Sequence, residues 1–255
     1  MTITTTTLTR TAGLCAVAAG LVYIGVQVNH PHLSVAYAGT TDYAVRQTLK
    51  VVMAVLSLVG ITGMYLRQVQ KSGVLGLVGY LVYGAGYLAM MGVEFVGAFV
   101  LPTLTDKAPG YVTDLLTVAF GGTSTGDIGA MRTAITVMGF TYLAGGFLFG
   151  LGLFRAHVLA RWAAALLALG NLSTIAIKAL PEVNERLFAI PTGVALIGLG
   201  WSLWHEHRTA AVRPITSPAS TIRPARTAST ASTVSMVSSD TAAGPVARLD
   251  PAGTR

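Results

Sequence analysis

An all-α polytopic membrane protein, a bundle of six transmembrane helices with a disordered C-terminal tail, is the fold this sequence predicts. Three observations carry the expectation. Of 255 residues, 53% are hydrophobic and only 11% are charged, whereas ordinary soluble domains carry about 25% charged residues. Six apolar runs are each long enough to cross ~30 Å of hydrocarbon as a helix, the form in which a chain without water pairs its own backbone groups. No run alternates with the period of a membrane barrel strand. So few charges cannot cover a water-soluble surface, and the mean hydropathy of +0.64 agrees. An ordinary cytoplasmic enzyme, a disordered chain and a disulfide-stapled secreted module are excluded. The single cysteine, Cys15, cannot form an internal disulfide.

Residues 1–10 are polar and end in Arg10, and they read as a short cytoplasmic N-terminus before a membrane domain over 11–204. The six runs are Thr11 to Val28, Val45 to Leu66, Val74 to Val100, Met131 to Phe154, Trp162 to Leu180 and Phe188 to Trp204. Asn29 and Pro31 close the first, and Gly73 separates the second from the third. Pro102 and Pro109 end the third, and Pro181 ends the fifth. Pro191 falls in the first turn of the sixth, where proline is tolerated. Trp162, Trp201 and Trp204 lie near helix ends on one side, as interfacial rings do. No A-x-A site immediately follows the first run, and Leu14 precedes Cys15 where a lipoprotein anchor needs a small residue, so the first helix is read as retained. Beyond Trp204, residues 205–255 turn rich in Ala, Ser, Thr, Pro and Arg, and this composition reads as a disordered tail.

The balance of Lys and Arg sets the expected orientation. With the N-terminus inside, the inner side holds Arg10, Arg67, Lys71, Arg155, Arg161, Arg208 and the tail arginines. The outer side holds Arg46, Lys50, Lys107, Arg132, Lys178 and Arg186. Both termini are therefore expected in the cytoplasm. Gly146 with Gly150, Ala16 with Gly20, the group Gly76, Gly79, Gly84 and Gly86, and the group Gly193, Gly198 and Gly200 are expected packing seams within one bundle.

Ionisable groups inside membrane helices are costly and face the interior, so they are the candidate site. At 100° per residue, Tyr80, Tyr83, Tyr87 and Glu94 share one face of the third helix. Asn171, Thr174 and Lys178 share a face of the fifth, Arg46, Lys50 and Ser57 one of the second, and Arg132 and Thr136 one of the fourth. At ~1.5 Å per residue Glu94 lies ~30 Å from the inner end of its helix. The charges thus gather at the outer mouth, and no deep carboxylate of the kind an ion-coupled pump uses is present.

Arg46, Lys50, Tyr87, Glu94, Arg132, Asn171 and Lys178 are the expected ligand-binding set, with a surplus of cations that favours a small anion or a lipid headgroup. The plainer alternative pairs Glu94 with Lys178 or an arginine, while the remaining long cations reach the headgroups. His30 and His32 form a His-x-His pair that could ligate a metal such as zinc, although histidines at a membrane boundary more often serve as turn residues. His205-Glu206-His207 lacks the H-E-x-x-H spacing.

In the loop from Pro102 to Ala130, Tyr111, Leu115, Leu116 and Phe120 predict a short amphipathic helix that lids the mouth or simply covers the bundle. No segment matches a catalytic signature, no cofactor is expected, and neither a P-loop nor a clustered basic soluble domain supports nucleotide or nucleic-acid binding. The expected partners are the lipid bilayer, a small anionic ligand and a membrane protein partner. The chain is thus expected to be a binding protein. A partner's membrane subunit or scaffold, and a small-solute transporter or metal-dependent membrane enzyme, remain alternatives.

The run FLFGLGLFRAHVLARWAAALLALGN, from Phe147 to Asn171, joins a Gly-rich helix end, a short basic turn and an Ala/Leu helix. Over these residues the chain resembles actinobacterial multi-pass membrane proteins of unknown function. The resemblance implies a helical protein of a bacterial plasma membrane and supplies no catalytic residue.

Overall fold

Gly73 organises the chain at the level of topology. In the computed structural model, which describes residues 4–28, 31–176 and 189–212, one helical element, α3 (Thr41–Phe99), carries the second and third apolar runs. Its backbone leaves helical geometry at Gln68 and at Gly73, where φ is 58° and ψ −161°. That conformation is open to glycine and strained for other residues. The element consequently folds back as a hairpin with arms over 41–67 and 74–99. Gln47 and Glu94, which a straight helix would hold roughly 70 Å apart, lie in hydrogen-bond contact. Tyr65 and Tyr80 stack near the turn, with centroids 4.6 Å apart.

The remaining elements are α1 (Thr5–Gly25), the single turn α2 (Val35–Ala38), the single turn α4 (Leu101–Leu104), α5 (Pro109–Ala119), α6 (Ala130–Ala156), α7 (Arg161–Ala176) and α8 (Ala189–Val212). All described elements are helical. Three helices among the described residues, α1, α3 and α6, are long and apolar enough to cross a membrane.

Element boundaries depart from expectation at both ends. α1 starts at Thr5, because the Thr4 hydroxyl accepts the backbone N–H of Thr7 and caps the helix. α8 continues to Val212, eight residues past Trp204, the expected end of the sixth run. Its segment HEHRTAAV lacks Gly and Pro, so nothing local ends the helix at Trp204. The end of the fifth expected span and the tail from 213 onward lie outside the described residues.

The rods close into a ring. The two arms of α3 pack on each other, the second arm packs on α6, α6 on α7, α7 on α8, α8 on α1, and α1 on the first arm. Small residues make the seams between α1, α3, α6, α7 and α8. A side chain at Gly79 would meet the backbone of Phe149, and one at Gly145 the backbone of Tyr83. Gly13 and Gly200 face each other across α1 and α8, as do Gly20 and Gly193. Gly60 and Gly63 receive Ala16 and Ala12, and Gly150 receives Ala168. The expected seams therefore pack within one chain. Gly84 is the exception, with only Leu58 at ordinary contact distance. Leu21, Val52, Leu81, Phe140 and Leu169 are exposed, which suits faces that lie in lipid. Arg10 sits over the Trp204 ring at 5.9 Å, so the start of α1 and the later part of α8 share the end of the bundle that carries the hairpin turn.

Candidate functional site

The opposite end holds a cavity of about 270 Å³. On the first arm of α3, Tyr43, Gln47 and Lys50 are spaced four and three residues apart, so they share one face. On the second arm, Glu94 and Gly97 do the same. Gln47 Nε2 donates to Glu94 Oε2 at 2.6 Å, and Lys50 Nζ lies 3.5 Å from Glu94 Oε1. Gly97 makes room for this contact, since a Cβ there would stand 2.7 Å from Gln47 Nε2. The Lys50 and Glu94 side chains are 19% and 15% exposed, so the pair is largely withdrawn from solvent.

Above this polar floor the walls are apolar. Leu115, Leu116 and Phe120 reach over from α5 and its C-terminal end, and Ile135 and Met138 close the side from α6. α5 begins at Pro109, well suited to a first turn, and buries Val112, Leu115, Leu116 and Val118 on one face.

A carboxylate fastens α5 to the chain that follows it. Asp114 Oδ1 accepts the Thr125 N–H at 2.8 Å and the Thr125 hydroxyl at 3.1 Å, and Oδ2 accepts the Gly126 N–H at 2.8 Å. These amides hold the carboxyl below its ordinary value of 3.8, and Arg132 adds a smaller pull in the same direction. The chain leaving α5 is thereby folded back against the helix.

The expected site residues divide into separate groups. Lys50 and Glu94 come together in the cavity. Arg46 does not join them: its Nε bonds Asp42 at 3.0 Å, and its Nη1 bonds the carbonyls of Val26 and Val28, groups the end of α1 leaves without helical partners. Tyr37 donates to the same Asp42 at 2.6 Å. Arg132 is exposed and bonds Ser124 in the loop. Tyr87 is wholly buried, its hydroxyl 3.0 Å from that of Tyr83, in a cluster completed by Tyr142 and Tyr23. Asn171 is buried against Gly146, and its Nδ2 donates to the Leu167 carbonyl. Lys178 and His30 lie outside the described residues. His32 is exposed, and among the described residues no three His, Cys, Asp or Glu side chains gather as metal ligands would.

Among the described residues the cations expected at the mouth are therefore not concentrated in the cavity, where Lys50 faces Glu94. Sequence reasoning missed Gln47, Gly97 and Tyr43. Gln47 and Tyr43 share a helical face with Lys50, a signal that was legible but carried no charge to draw notice. Tyr23 and Tyr142 were missed because no pattern within one helix links them to Tyr83 and Tyr87. The tyrosine cluster lies about two helical turns deeper than Glu94 and fills the bundle there. Comparison with family models, with curated proteins and with solved structures finds no match to this chain.

Proposed function

We propose that this chain is a six-span protein of a bacterial plasma membrane, with both termini cytoplasmic, that binds a small solute with an anionic head and an apolar body at its outer end. One observation carries the reading: Glu94 has two unequal partners. Gln47 holds it at 2.6 Å, while Lys50 stands at 3.5 Å. Lys50 can turn to an incoming anion while Glu94 keeps its shorter hydrogen bond, so the carboxylate is not left bare. Leu115, Leu116, Ile135 and Met138 offer the ligand's body an apolar surface, in the usual proportion of many apolar contacts to a few orienting polar groups. The filled tyrosine core beneath favours a blind pocket over a conduit.

Three eight-carbon probes that differ only in the head test the proposal: octanoate, octanol and octylammonium. In detergent, octanoate is expected to raise the melting temperature of the protein most, and Lys50→Met is expected to erase its advantage. Equal stabilisation by all three probes would remove the anion preference, and none by any would remove the pocket. Single cysteines at Lys71 and Lys107, in a Cys15→Ala background, test the topology. Lys107→Cys is expected to label from outside intact cells and Lys71→Cys only after permeabilisation.

A further inference from the structure

The hairpin turn of α3 carries a second cavity, of about 430 Å³, at the end of the bundle remote from Glu94. Arg67, Gln68, Lys71 and His157 line it. Gln68 sits where the backbone leaves helical geometry, with φ −129° and ψ 19°. Its side chain is only 2% exposed, yet neither Nε2 nor Oε1 finds a hydrogen-bond partner among the described residues. A buried amide with both ends unmet is costly and uncommon, and it points to an occupant that supplies what the protein does not. His157 is held in the left-handed conformation, at φ 55°, and its Nδ1 donates to the Arg155 carbonyl at 2.6 Å, which fixes the ring at the rim.

Charge narrows the occupant. All five carboxylates whose side chains are described, Asp42, Glu94, Asp106, Asp114 and Asp127, belong to the opposite end of the bundle or its loops. Arg67 and Lys71 line this cavity, and Arg155 and Arg161 occupy the same end on α6 and α7. We propose that the cavity binds a phosphate ester that also carries a hydroxyl. Phosphate oxygens accept from Gln68 Nε2 and from Lys71, while the hydroxyl donates to Gln68 Oε1. A simple anion would satisfy only the amide nitrogen, and a water molecule would make no use of the Lys71 charge. This chemistry is presented both by a phosphatidylglycerol headgroup and by soluble glycerol phosphate.

Thermal unfolding of the full chain in detergent micelles separates the two sources. One arm titrates sn-glycerol 3-phosphate, and the other titrates phosphatidylglycerol, with phosphatidylcholine, which has the phosphate but no hydroxyl, as its control. Saturable stabilisation is expected in one arm, and the arm that responds names the source. Lys71→Ala is expected to raise the half-saturating concentration by about tenfold, the loss of one charge-assisted hydrogen bond. Gln68→Met is expected to raise it similarly while increasing the melting temperature of the unliganded protein, because the unmet amide is gone. Lys107→Ala, at the far end, is expected to change neither. The proposal is overturned if neither arm stabilises the wild type, if phosphatidylcholine matches phosphatidylglycerol in a responding lipid arm, or if both cavity variants respond as the wild type does.

Discussion

Gln47 grips Glu94 more closely than Lys50 does, and the difference is measurable. A hydrogen bond to a charged group contributes about 1.5–3 kcal/mol, so Gln47→Leu is expected to destabilise the protein by that amount. Lys50→Met is expected to cost less, because its longer contact leaves the Gln47 bond in place. Denaturation of both variants in the same detergent checks the order, and a larger loss in Lys50→Met would reverse the assignment of the two partners. Asp114 supplies a pH dependence with a definite sign. Its folded-state value lies below the ordinary 3.8, so the clasp contributes stability fully above that value and loses it as pH falls through the lower folded one. Amide exchange at Thr125 and Gly126 is expected to quicken, relative to their intrinsic rates, below about pH 3.8 in the wild type. Asp114→Asn should show raised exchange throughout, without that step.

Helical elements meet through their smallest residues, and their turn depends on one glycine. At Gly73 nothing lies within 4 Å of an added Cβ, so the effect of a substitution there is backbone strain alone. Gly73→Ala is expected to cost about 1–3 kcal/mol. Gly92 is also uncrowded but sits in regular helix, and Gly92→Ala is expected to stabilise by about 0.4–1 kcal/mol. The opposite signs of the two, read as melting temperatures, test the hairpin geometry. At Gly145 the obstacle is contact instead. A Cβ would stand 2.3 Å from the Tyr83 nitrogen, so Gly145→Ala must push α6 from α3, with an expected loss of about 1–3 kcal/mol. The first of these glycines was legible as a break between two apolar runs. Gly145 was not, because its requirement comes from a helix more than fifty residues away in sequence.

The whole molecule follows from composition to a point. A chain 53% hydrophobic and 11% charged is expected to sediment with membranes and to resist alkaline extraction, and recovery in the aqueous supernatant would contradict the reading of α1, α3 and α6 as spans. Helical form, the approximate position of the apolar runs within the described residues and the presence of α5 in the long loop were all readable, because each depends on local hydropathy, periodicity and proline or glycine punctuation. The partners of the charged groups were not. Arg46, Lys50 and Arg132 look equivalent in sequence, three cations near helix starts on one side. In the folded chain Arg46 ties down the end of α1, Arg132 braces a loop, and of these three Lys50 is the one that faces Glu94 in a cavity. Sequence by itself determined where the polypeptide is apolar and where it turns, since backbone pairing and transfer to lipid act on short stretches. Only the tertiary structure decided which charge meets which, because partner choice depends on distances between helices that no local pattern encodes.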